Sequence, residues 1–213
     1  MLFLPNGYIR FKITPEIMAD EACGSIVMGS GADCDNIPPA GTRARLLVGN
    51  YDEIEELTED DDGNIIDIVM APGAYLYEFL GFRNDVKKSE EVIKPDVGVS
   101  KFKHNIGWVV YENTQVQKNN IENIVRGRFI AFAENKGKNA NVFEVVGKEV
   151  GVEIVAGAIR NAHENGGFFV ISLSTPDDQG ELESKLPQTL LLPGSGSVYQ
   201  NNLAGLAALL PGS

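Results

Sequence analysis

The sequence predicts a mainly β fold, a β-sandwich or barrel with one flanking α-helix, an extended N-terminal arm and a short C-terminal helix. Three observations carry this. Between Lys101 and Thr175 one alternating or β-rich run follows another: KFKHNIGWVVYE (101–112), RFIAFAEN (128–135), NVFEVVG (141–147), KEVGVEIVAG (148–157) and GFFVISLSTP (167–176). Only one segment of that region, 114–127, carries the 3.6-residue period of a helix. Turn signals such as Asp62-Gly63 separate further strand-like runs upstream.

In chain order, residues 1–42 read as an arm. They are rich in Gly, Pro, Asp and Ser, and YIRFKI (8–13) is their one convincing strand. Pro38-Pro39 and Gly41 punctuate the passage into a β-rich domain over 43–196, whose first core strand is RARLLVGN (43–50). Eight acidic residues follow: Asp52, Glu53, Glu55, Glu56, Glu59, Asp60, Asp61 and Asp62. With few bases nearby they repel one another, so the row is expected to face solvent or a channel. Asp62-Gly63 offers the positive φ of a hairpin turn, and NIIDIVM (64–70) resumes as a strand. AYLYEFLGFR (74–83) reads as another strand, whereas the polar NDVKKSEEVIKPDVG (84–98) reads as a long loop or exposed flap.

The helix is predicted from its ends as well as its period. Thr114 and Gln117 have capping-box spacing, Val116, Ile121, Ile124 and Val125 fall near one face, and Gly127 suits the left-handed position that ends a helix. A second capped segment, 197–213, forms a helical tail, with Ser197 and Gln200 spaced as a box and Leu203, Leu206, Ala207 and Leu210 as an apolar stripe. LLLPGSGS (190–197) reads as a short strand and a hinge before it. Such a helix either folds back on its own core or docks on a neighbour. The arm and tail are expected to contact neighbouring subunits through Leu203, Leu206 and Leu210, so that deleting 197–213 weakens assembly and leaves 43–192 folded.

Chemistry-bearing motifs are scarce, and no catalytic residue is expected. His104 and His163 are the only histidines, one inside a predicted strand and one in the polar loop RNAHENGG, which gives a nucleophilic triad nothing to assemble from. GSG (29–31) does not lead into a helix with a third spaced glycine, and PGSGS (193–197) lacks a phosphate-binding lysine. Registering Gly63 on the turn glycine of a calcium loop puts Thr58 and Val69 at positions that demand carboxylates, so that motif fails. No cofactor or metal is expected. Trp108 and Tyr111 fall on opposite faces of one strand, and no aromatic platform is apparent.

Net charge of −12 argues against a nucleic-acid-binding face, although an acidic wall lets DNA slide past without sticking. The N-terminus lacks the features of a secretory signal, no apolar run reaches the length of a membrane span, and Cys23 and Cys34 read as free thiols.

The succession ARLLVGNYDEI, IVMAPGAYLYEFLGF, FKHNIGWVVYEN, NIENIVRGRFIAFAENKG, FEVVGKEVGVEIVAG and GGFFVISLSTPD resembles a group of tailed-bacteriophage virion structural proteins, with a general plan similar to tail-tube proteins. The resemblance spans about residues 43–192. It implies protomers joined into a ring or tube around a DNA channel, with copies of itself and other virion proteins as partners. DNA would pass without specific binding, and the location would be the virion after synthesis in the host cytoplasm. A head–tail connector ring, a head decoration protein, a β-sandwich adhesin or carbohydrate-binding module, and an enzyme of dispersed carboxylates are the alternatives. The binding module predicts a concave aromatic patch.

Overall fold

The computed structural model describes residues 42–81, 85–94, 100–136, 142–155, 160–161, 168–176 and 182–212. All of these belong to one compact unit, Asn36–Ser213. The expected strand at 8–13, Cys23, Cys34, the glycines at 29–31, His163 and nearly all of the arm lie outside the described residues.

The chain is mainly β, with antiparallel pairing throughout its ladders and two α-helices. In order, the elements are β1 (Thr42–Asn50), β2 (Ile54–Glu59), β3 (Ile65–Met70), β4 (Tyr77–Leu80), β5 (Lys87–Ile93), β6 (Lys101–Val110), α1 (Gln115–Ile124), β7 (Arg128–Asn135), β8 (Val142–Val146), β9 (Val152–Ile154), β10 (Arg160–Asn161), β11 (Phe169–Ser174), β12 (Gln188–Thr189) and α2 (Val198–Ala207). Ten strands make one sheet, while β2 and β3 form a separate hairpin.

The packing of side chains shows how that sheet is folded. β7 is buried along six consecutive residues because both of its faces are covered. Alternation sends Phe129, Ala131 and Ala133 to one side, where they meet Ile106 and Trp108 of β6 and Ile171 and Leu173 of β11. Strands β1 and β7 therefore lie face to face with β6 and β11, as the two layers of a sandwich. Ile130 and Phe132 point the other way. They join Leu47, Phe143 and Val145 in a second core roofed by Ile65 and Ile68 of the hairpin and Leu206 of α2.

The two layers are joined through a broken strand. Among its described residues KEVGVEIVAG is strand over Val152–Ile154, because Gly147 (φ 77°) and Gly151 (φ 75°) form a turn closed by the Gly151 N–H on the Gly147 carbonyl at 3.0 Å. β8 pairs with β7 before this turn, and after it β9 pairs with both β7 and β11.

Several boundaries differ from expectation. Lys87–Ile93, read as loop, pairs residue for residue with β6 from Lys87↔Gly107 to Ile93↔Lys101. It is an edge strand exposed along most of its length, so its sequence has no apolar alternation, and its partner sets its conformation. Strand β4 is shorter than 74–83 because Gly73 (φ 81°) and the Ala74-to-Ala71 hydrogen bond keep the preceding residues in a turn.

Helix α1 starts at the expected cap, with the Thr114 hydroxyl accepting the Gln117 N–H at 3.2 Å, but only half of the capping box forms, since Gln117 Oε1 accepts from Asn120 Nδ2 instead. Its stripe is narrower than expected: Ile121 is buried and Ile124 half-buried, while Val116 is 73% exposed. Gly127 is not left-handed, and the helix ends at Val125 in right-handed geometry. Glycine is required there for space, since a Cβ would lie 2.3 Å from Phe129 Cζ.

Candidate functional site

The acidic row divides when folded. Asp52, Glu55, Glu56, Asp61 and Asp62 are exposed, and Glu53 accepts a hydrogen bond from Asn50 Nδ2 at 2.8 Å. Asp60 organises the hairpin turn by accepting the backbone N–H groups of Asp62 (3.0 Å) and Asn64 (2.8 Å). The Asn64 side chain and backbone bonds hold its carboxyl below the usual carboxylate range. Glu59 departs from the expected mutually repelling, solvated row. It bridges Lys148 and Lys185, the latter at 2.6 Å, and so ties the hairpin to the 147–151 turn and the 183–185 segment.

The terminal helix folds back on its own chain. The expectation that Leu203, Leu206 and Leu210 all anchor a neighbour is corrected for Leu206, which is 1% exposed in the second core. Leu203 and Leu210 are half-buried beside it. The preceding segment is no free hinge. Leu190 bridges Ile65, the Leu192 N–H donates to Asn202 Oδ1 at 2.8 Å, and the Gly196 N–H donates to Asn201 Oδ1 at 2.9 Å. The full capping box at Ser197 and Gln200 forms as its spacing implied.

A buried polar group sits under the 147–151 turn. Glu183 is 2% exposed and accepts the N–H groups of Glu149 (3.0 Å) and Val150 (3.1 Å). Burial pushes its carboxyl above the ordinary range, and the two backbone bonds oppose that shift. His104, equally buried, lies with Nε2 3.0 Å from the Lys185 carbonyl, so Nε2 carries the proton and Nδ1 faces the Gly147 N–H at 3.4 Å. Desolvation lowers its pKa. Every partner here is backbone, which makes this pair a device for fixing the turn and gives it no access to a substrate.

A cavity of about 580 Å³ opens between α1, the β1–β4 edge and the residues after α2. Phe79, Trp108 and Phe129 line it from three strands, with Tyr77 at its rim. The Phe79 and Trp108 ring centroids are 5.2 Å apart. Sequence reading missed this cluster because it asked whether aromatics share one strand, whereas these are brought together by the β1–β4 pairing and the folding of the sheet. The signal was present in part: YEF (77–79) alternates so that Tyr77 and Phe79 share a face.

Among the described residues, no group of three His, Cys, Asp or Glu side chains is placed to hold a metal, and no helix is long and apolar enough to cross a membrane. No family model, curated protein or solved structure matches the chain.

Proposed function

We propose that this chain is a structural subunit of a tailed-phage virion that assembles with copies of itself into rings or a tail tube around a DNA channel. The observation that carries the reading is a pair of strand edges in the ten-stranded sheet that no other described strand pairs with. Among the described residues β4 pairs only with β1, and β5 only with β6. The β4 edge is apolar: Leu80 is 64% exposed and Tyr77 48%. Strand edges of this kind pair with other chains unless they are blocked, and two different edges on one protomer make a head-to-tail contact that closes into a ring. The exposed carboxylates of the hairpin repel phosphate, which suits a surface past which DNA slides.

The test is an image of the purified full chain together with its mass in solution. Rings or tubes of uniform diameter, with light scattering giving a fixed copy number, are the expected result. A monomer over the whole range from micromolar to several hundred micromolar overturns the reading.

A further inference from the structure

We propose that the cavity between α1 and the β1–β4 edge is a binding site for a short neutral saccharide. Its volume of about 580 Å³ lies within the span of small-molecule sites, roughly 300–1,000 Å³. Its walls combine two kinds of group. Buried Trp108 and Phe129 close its floor, and half-buried Phe79 and exposed Tyr77 supply the ring surface against which the C–H face of a sugar ring stacks. Gln117, Asn120 and Asn123 of α1 supply carboxamides, each with an acceptor oxygen and two donor hydrogens. Hydroxyl groups also donate and accept, so a polyol meets such a rim without leaving unmatched polar atoms. Asn120 Nδ2 already donates to Gln117 Oε1 at 3.1 Å, which leaves the Gln117 amide nitrogen and the Asn120 oxygen for a ligand.

One further observation narrows the ligand class. Among the described residues that line the cavity Glu78 alone carries a charge, and its carboxylate pairs with Arg45 Nε at 2.9 Å. With no cation among those described residues to select a phosphate or carboxylate, the ligand is neutral.

Trp108 is the only tryptophan of the chain, so its emission reports on this cavity alone. The full chain is titrated separately with chitotriose, maltotriose and cellotriose to about 10 mM, which covers millimolar affinities. A saturable change in emission with at least one of them is expected. Combining Gln117→Ala with Asn120→Ala then weakens that binding at least tenfold while the melting temperature stays unchanged. The proposal fails if none of the three saturates, or if binding survives the double variant. It fails equally if the apolar dye N-phenyl-1-naphthylamine saturates the site and no saccharide displaces it.

Discussion

Asn202 on the terminal helix is hydrogen-bonded to Leu190 in the strand segment before it. Asn202 Nδ2 donates to the Leu190 carbonyl at 2.6 Å, and the same side chain's Oδ1 accepts the Leu192 N–H at 2.8 Å. One fully buried amide thus satisfies two backbone groups of the segment that precedes its own helix. Asn202→Ala orphans both, and each buried unsatisfied group costs about 1–3 kcal/mol. We expect a loss of about 2–5 kcal/mol in urea unfolding, with Asn202→Asp, which keeps only the acceptor, also destabilising.

The same geometry reverses the expectation for truncation. Leu206 is part of the second core, and the Leu76 N–H donates to the Leu209 carbonyl at 2.9 Å. Deleting 197–213 therefore strips a side from that core and frees a buried backbone donor. The truncated chain is expected to lose cooperative unfolding rather than persist as a folded 43–192 domain. Leu206→Ala alone should cost about 2–5 kcal/mol, and Leu203→Ala less, because Leu203 is only half-buried. Circular dichroism melts distinguish these outcomes.

Gly151 is a third sensitive position, on backbone grounds. Its φ of 75° is left-handed, and a Cβ there would lie 2.5 Å from Arg128 Cγ and 2.9 Å from Tyr51 Cδ2. Alanine meets both a strained φ and a steric clash, so Gly151→Ala is expected to destabilise by about 1–3 kcal/mol in the same melts. Gly73→Ala is the control: its φ is also positive, but nothing lies within 4 Å of the added carbon, so only the backbone strain remains.

What was legible in the sequence followed from local rules. β1, β6, β7, β8 and β11 carry apolar alternation or continuous apolar runs, and the caps at Thr114 and Ser197 are read from residue spacing alone. β5 was not legible, because an exposed edge strand has no buried face to imprint a pattern, and its conformation is set by its hydrogen-bonding partner β6. Gly127 was misread for a related reason. A glycine that makes room for the Phe129 ring looks, in sequence, the same as one that supplies a left-handed turn. The cavity joins β1, β4, β6, α1 and β7, and no local period encodes a meeting of five elements.

Acid should act on the fold through His104. Burial lowers its folded pKa below the ordinary 6.5, and a second proton would set an N–H against the Gly147 N–H. The unfolded chain then takes up the proton first, so stability present above 6.5 is lost as pH falls through the folded value. Glu183 has the opposite slope. Its raised folded pKa makes the native state hold a proton that the unfolded chain releases from 4.5 upward, so its contribution is lost as pH rises through the folded value. We expect Glu183→Gln to remove that opposing part and leave a steeper fall in melting temperature below pH 6.5. His104→Gln, although less stable throughout, should flatten the dependence over the same range.

The last prediction concerns the apolar sheet edge. Leu80 is 64% exposed and belongs to neither core, so Leu80→Lys removes little from the fold itself, within about 0.5 kcal/mol for an exposed position. On an edge that pairs with a neighbouring protomer, however, the same lysine places a charge where an apolar contact and a strand partner have to form. The expected outcome is an unchanged melting temperature together with a shift from rings to monomers in light scattering. Val92→Lys on β5, also exposed and on a strand that among the described residues pairs only with β6, should act in the same direction if that strand is the opposite half of the contact. Rings that persist with both lysines present would place the assembly surface away from β4 and β5, while a monomer produced by Leu80→Lys alone would assign β4 as one half of the contact.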